Sequence, residues 1–160
     1  MKLYIGSDKS GFTLKEAIKA YLVSENYEVE DLGTQSIDAP MPFFKVAPLV
    51  AEKVSSGEAE RGILICGTGM GMSQVANKYQ GVRAAVVESV YGAKMSRAIN
   101  DSNVLALGGW FIGPELGIEI AKTFLNTEFT QDLEEWRKDF LKNARQEFAA
   151  LEETIYHKEK

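Results

Sequence analysis

The sequence predicts one α/β domain built on a parallel sheet with helices on both faces, followed by a long C-terminal helix. Three observations lead there. Short apolar or β-branched runs alternate with stretches of helical period along most of the chain, the pattern of repeated β–α units with right-handed crossovers. The run Gly62 to Ile65 is apolar without interruption, as in a parallel strand covered on both faces. Finally, residues 131 to 160 contain no strand pattern, no Pro and no Gly.

In chain order, Leu3-Tyr4-Ile5 is a short buried strand ended by Gly6-Ser7-Asp8, and Phe12, Leu14, Ala17, Ile18 and Tyr21-Leu22 then recur at helical spacing. Tyr27 to Leu32 is a second strand, closed by Gly33. Val46, Leu49-Val50 and Val54 mark a helix that stops at Ser55-Ser56-Gly57. The third strand, Gly62 to Ile65, runs into Cys66-Gly67-Thr68-Gly69-Met70-Gly71-Met72 and then a helix through Val75 and Ala76. Val82 to Val87 is a fourth strand, Tyr91 to Ile99 a helix, Asn103 to Leu107 a fifth strand, and Ile118 to Phe124 a helix. From Gln131 onward Leu133, Trp136, Phe140, Leu141, Ala144 and Phe148 fall on one helical stripe. That stripe needs a covering surface, and a partner subunit is preferred over the chain's own domain. The chain therefore divides into an α/β domain over 1–129 and an amphipathic helix over 130–160.

Composition narrows the function classes. At 160 residues, 45% hydrophobic and 26% charged, the chain is globular and has room for one ordinary domain. A net charge of -5 with scattered basic residues offers no broad surface for nucleic acid. The densest basic group, Arg137, Lys138, Lys142 and Arg145, alternates with acids as a solvated helix face does, or forms a local anion site. One cysteine allows neither an intramolecular disulfide nor a thiolate cluster, and the single His157 stands alone in a charged tail, so no metal and no cofactor are expected. No apolar run approaches the roughly 20 residues of a membrane span, and no signal-peptide pattern precedes the first strand. A cytoplasmic protein is expected.

Ligands of open parallel sheets bind beyond the carboxyl ends of the strands. Three polar groups fall at such ends: Asp8, Cys66-Gly67-Thr68 and Glu88-Ser89. The segment Cys66–Met72 is the most informative. Gly67, Gly69 and Gly71 let the backbone turn sharply and aim N–H groups at one point ahead of a helix, an arrangement suited to an anion or a developing oxyanion. The spacing is neither G-x-G-x-x-G nor a P-loop. The same loop beside a thiol can favour the thiolate. A thiol base and an oxyanion cradle are the two parts an aldose–ketose proton shuttle needs, although a lone cysteine is more often a small buried hydrophobe.

The blocks Gly6-Ser7-Asp8, Ile65-Cys66-Gly67-Thr68-Gly69-Met70-Gly71-Met72-Ser73, Ala76-Asn77-Lys78, Gly81-Val82-Arg83-Ala84 and Asn100-Asp101-Ser102-Asn103-Val104-Leu105-Ala106-Leu107-Gly108 together resemble ribose-5-phosphate isomerase type B. That family also holds the galactose-6-phosphate isomerase subunits, and the resemblance runs in register from Met1 to near Phe129. It implies a flavodoxin-like or Rossmann-like three-layer sandwich with a five-stranded parallel sheet. It also implies an assembly, dimeric at least, with the site between subunits. By position, Cys66 would move the proton between C1 and C2, the N–H groups of Gly67 to Gly71 would hold the enediolate, Asp8 and Asn100 would bind hydroxyls, and Thr68 would assist at the ring oxygen or the carbonyl end.

Four departures stand beside the match. The family's ring-opening His is Ile99 here, its His-Ala-Gly after the first Asp is Lys9-Ser10-Gly11, its Tyr-Pro is Met41-Pro42, and one phosphate-binding Arg is Leu133 while Arg137 keeps the offset of the second. An isoleucine can neither give nor accept a proton. One explanation is a substrate with no ring to open, such as a tetrose or tetrulose phosphate, with Lys9 and Arg137 on the phosphate. Another is a hetero-oligomer in which a paralogous chain supplies the missing acid. A non-catalytic sugar-phosphate sensor, and a ribose-5-phosphate isomerase with relocated ring opening, also remain open. The partners expected are a small phosphorylated sugar and further subunits, as a homodimer or homotetramer or with the paralogue. Trp110 and Phe111, bulky residues past the last strand, are read first as subunit packing and second as narrowing the site.

Overall fold

The structure, a computed structural model, describes residues 2–157; Met1 and the last three positions of the expected C-terminal segment, 158–160, lie outside the described residues. Five strands, β1 (Lys2–Ser7), β2 (Glu28–Asp31), β3 (Arg61–Cys66), β4 (Ala84–Val86) and β5 (Val104–Gly108), form one parallel sheet in the order β2-β1-β3-β5-β4. The helices are α1 (Phe12–Ser24), α2 (Phe43–Ser55), α3 (Met70–Ala76), α4 (Val90–Ala98), α5 (Pro114–Asn126) and α6 (Glu135–Tyr156).

Strand alternation sorts the apolar residues into two layers. Leu3, Ile5, Ile63, Ile65, Leu105 and Leu107 face one side, against Leu14, Ile18 and Leu22 of α1 and Ile120 and Phe124 of α5. Tyr4, Leu64, Cys66 and Val104 face the other, against Val46 and Val50 of α2 and Met72 and Ala76 of α3. Phe124 is wholly buried, so truncating it to Ala would cost about 3–5 kcal/mol. The order of the strands reverses at β1 and β3: the chain steps from β1 out to β2, then returns past β1 to β3. That reversal opens a crevice beyond the carboxyl ends of β1 and β3.

Several boundaries differ from those expected. The fourth strand is shorter, because Gly81 at φ +77° and a Val82 N–H bonded to Tyr79 turn the chain just before it. Ser89 caps α4, its Oγ accepting from the Gly92 N–H at 3.0 Å, so it serves the helix rather than the sheet edge. The last helix starts at Glu135, not Gln131, because Thr130 (φ 65°) and Asp132 (φ 57°) adopt left-handed backbone. No residue of α6 is buried. The helix meets its own body through polar bonds: the Gly81 N–H donates to Glu152 at 2.7 Å, Gln80 donates to Glu153 at 2.6 Å, and the Tyr156 hydroxyl donates to the Lys78 carbonyl at 2.7 Å.

Candidate active site

The crevice between β1 and β3 is held by backbone contacts that pass its edge. The Asp8 N–H donates to the Ile65 carbonyl at 3.2 Å, one residue before Cys66. The Asp8 carboxylate accepts from the Gly11 N–H at 3.1 Å, which starts α1. A Cβ on Gly11 would lie 2.4 Å from the Ile65 carbonyl oxygen, so only glycine lets the start of α1 come this close to β3. Burial raises the Asp8 pKa, and the Gly11 and Ser10 N–H groups work against that rise. Lys9 is exposed on the same loop.

Cys66 ends β3, with 5% of its surface exposed, and its Sγ accepts from the Gly69 N–H at 3.1 Å. That bond needs Gly69 at φ +76°, with the Leu107 backbone 3.0 Å from where a Cβ would sit. The Met70 N–H goes to Thr68 Oγ1 at 3.2 Å. Two N–H groups of the first turn of α3 are thus taken by Cys66 and Thr68. Those of Gly71 and Met72 come next and have no acceptor within the helix. Two aromatic rings flank this cradle. Phe43 lies against Gly71, and the indole of Trp110 lies on Gly67. Phe43 carries no signal in the sequence beyond an aromatic after Pro42; only the packing of α2 on α3 brings it here.

The structure brings Asp8, Lys9, Cys66, Gly67, Thr68, Gly69 and Gly71 together at the carboxyl edge. Asn100 and Arg137 are elsewhere. Asn100 follows Ile99 in the loop that enters β5, at the opposite edge of the sheet, and five residues of β5 at about 3.3 Å each separate the two ends by roughly 16 Å. Arg137, near the start of α6, shares a small hollow with Ile99, Trp136, Phe140 and Leu141. A cleft of about 640 Å³ also opens at that opposite edge, between α6 and the body, lined by Asn100 and Arg83 of the body and by Arg145, Phe148 and Leu151 of α6. Much of the later sequence block serves that edge structurally. The Asn103 side chain accepts from the Arg83 N–H at 2.7 Å and donates to the Gly81 carbonyl at 2.8 Å. Asp101 takes Arg83 and Arg97, both at 3.0 Å.

The sequence profile described as Ribose/Galactose Isomerase matches residues 3–140. The chain belongs to the ribose/galactose isomerase family. Among its relatives, a 4-deoxy-4-sulfo-D-erythrose isomerase of Clostridium sp. (strain MSTE9) is 60% identical over 158 residues, covering 99% of both chains. A D-erythrulose-4-phosphate isomerase of Mycolicibacterium smegmatis is 40% identical, covering 81% of this chain and 86% of its own. The solved ribose-5-phosphate isomerase B of Clostridium thermocellum superposes with a TM-score of 0.86 at 41% identity, covering 97% of this chain and 99% of its own. This member of the ribose/galactose isomerase family is an aldose–ketose isomerase of small sugars. Among the described residues, no helix is long and apolar enough to cross a membrane.

Proposed function

We propose that the substrate is a four-carbon aldose and its 2-ketose with a terminal anion on C4, a sulfonate or a phosphate, interconverted through an enediol in a site completed by a second copy of the chain. The observation that carries this reading is Ile99. A four-carbon aldose closes a five-membered ring only through its C4 hydroxyl. In a 4-deoxy-4-sulfo sugar that oxygen is absent, and in a 4-phosphate it is esterified, so both substrates stay open. No acid is then needed to open a ring. The 60% relative, a sulfo-erythrose isomerase, supports the sulfonate form.

In this reading the Cys66 thiolate removes the proton from C2 of the aldose. The electrons of that C–H bond form the C1=C2 double bond, and the charge moves to O1, held by the N–H groups at the start of α3. Thr68 relays the proton from O2 to O1. The thiol then returns its proton to C1, which leaves the carbonyl at C2. Asp8 accepts from sugar hydroxyls, and Lys9 meets the terminal anion. Asn100 and Arg137 would come from the second copy, an assignment supported by the distance that keeps them from Cys66 within one chain. Packing between copies would also cover the apolar stripe of α6.

The test is turnover followed by NMR in D2O, with 4-deoxy-4-sulfo-D-erythrose, D-erythrose 4-phosphate and D-ribose 5-phosphate. The four-carbon substrates should exchange carbon-bound hydrogen with solvent and reach their ketoses. Ribose 5-phosphate should lag by about 10²–10⁴-fold, the usual contribution of general acid–base help. Equal turnover of ribose 5-phosphate would sink the reading.

A further inference from the structure

Beyond β5 the chain makes a tight turn in which the Phe111 and Ile112 N–H groups both donate to the Gly108 carbonyl at 3.1 Å. The turn is fastened to the catalytic loop. The Gly109 N–H donates to the Cys66 carbonyl at 2.8 Å, and the Trp110 N–H to the Gly67 carbonyl at 3.0 Å. The indole is seated on Gly67: a Cβ there would lie 2.6–2.8 Å from Cε2, Cδ2 and Cζ2 of the ring. A side chain on Gly67 would have to displace the indole. Yet 69% of Trp110 is exposed, a large apolar surface for a residue this close to a reactive thiol.

Cys66 points into the α2 and α3 layer at the last position of β3, and Gly67, with the indole against it, follows as the first residue beyond the strand. The turn that carries Trp110 also meets the Lys9-Ser10 loop, since a Cβ on Gly109 would lie 2.7 Å from the Ser10 carbonyl oxygen. A sugar with C1 and C2 at Cys66 has its other end within reach of this ring.

Resting on the four-carbon reading, we infer that Trp110 is a specificity-determining wall: its indole closes the end of the site away from Cys66, admitting a four-carbon chain and rejecting a five-carbon one. A pocket wall of this kind discriminates one carbon by about 10–200-fold. The residue touches the far end of the substrate and takes no part in proton transfer.

Two inert open-chain acids separate chain length from ring opening: D-erythronate 4-phosphate and D-ribonate 5-phosphate, measured as competitive inhibitors of the wild type, Trp110→Ala and Trp110→Phe. The wild type should prefer the four-carbon acid by about 10-fold or more. Trp110→Ala should bring that ratio close to one, chiefly by improving the five-carbon Ki, and Trp110→Phe should fall between. If Trp110→Ala weakens both acids equally, the ring serves packing or a subunit contact and the inference is overturned while the four-carbon reading stands. If the wild type binds neither acid, or prefers the five-carbon one, both fail together. A second measurement leaves Trp110 in place. The chain has two tryptophans, so in Trp136→Phe the remaining indole reports alone. Saturating D-erythronate 4-phosphate should shift or quench its emission, and an unmoved spectrum at saturation overturns the inference.

Discussion

At the scale of residues, the site is a thiol next to a backbone that cannot change. Cys66→Ala removes the proposed base and leaves the cradle, so turnover should fall by at least 10²–10⁴-fold, about what a positioned proton-transfer group contributes. Affinity for D-erythronate 4-phosphate should change little, and isothermal calorimetry on the same variant would separate the two effects. Gly69 cannot be replaced so quietly. Its φ of +76° and the Leu107 backbone 3.0 Å from its missing Cβ mean that Gly69→Ala must shift the N–H now donated to Cys66. That variant should lose activity while keeping most of its secondary structure, read by circular dichroism. Ile99→His tests the substrate class from the other direction. It should leave the rate on four-carbon substrates unchanged, since they have no ring for an added acid to open.

At the scale of elements, the loop between β2 and α2 is pinned by a buried charge network. Lys15 of α1 has no exposed side-chain surface; its Nζ donates to Asp31 at 2.6 Å and to the Thr34 carbonyl at 2.5 Å, while Lys19 reaches the same carboxylate at 2.8 Å. Thr34 in turn accepts from the Met41 N–H at 3.0 Å, two residues before Phe43 of the site. Burial disfavours charge on Asp31, but the bonds from Lys15, Lys19 and the Gly33 N–H outweigh it and hold its pKa below the ordinary 3.8. A folded pKa below the unfolded one stabilises the fold above the unfolded value, and that stability is lost as pH falls through the folded one. Denaturation series run between about pH 6 and about pH 2 should therefore show a shallower acid loss in Asp31→Asn than in the wild type. Lys15→Met leaves the carboxylate with Lys19 and the Gly33 N–H and should cost about 3 kcal/mol, the lower end for breaking a buried pair. Lys15 illustrates what periodicity misses. It stands beside the apolar positions of α1 without being one of them, and its partners arrive from β2 and the following loop, which helical spacing does not register.

At the scale of the whole molecule, the residues matched by resemblance divide between two edges of one sheet. If each site draws on two copies, two inactive variants should rescue one another. Cys66→Ala spoils one half-site and Asn100→Ala with Arg137→Ala the other, so a mixed dimer carries one doubly spoiled and one intact site and should recover about half of wild-type activity. Co-expression with two tags and an activity assay on the doubly purified species would measure it. No recovery would mean that each copy works alone, and the roles of Asn100 and Arg137 would have to be given up.

The α/β class, the count and sequence of strands, and the cradle at Cys66 were legible because they are local: apolar period, helix stops such as Ser55-Ser56-Gly57, and glycines at fixed spacing each act within a few residues of themselves. The strand order β2-β1-β3-β5-β4 was not, since parallel neighbours are joined by crossovers whose length does not say which edge they join. That order puts Asp8 beside Cys66, whereas Asn100 lies at the far edge because it precedes a parallel strand rather than following one. Likewise the sequence marks Trp110 only as a large residue past a strand. Its seat on Gly67 comes from two segments more than forty positions apart meeting where Gly67 leaves space for the ring. The sequence by itself determined the fold class and the glycine-rich turn after Cys66, which depend on short-range backbone freedom. Which side chains share a substrate was decided only by the tertiary structure, because convergence depends on long-range packing of the sheet.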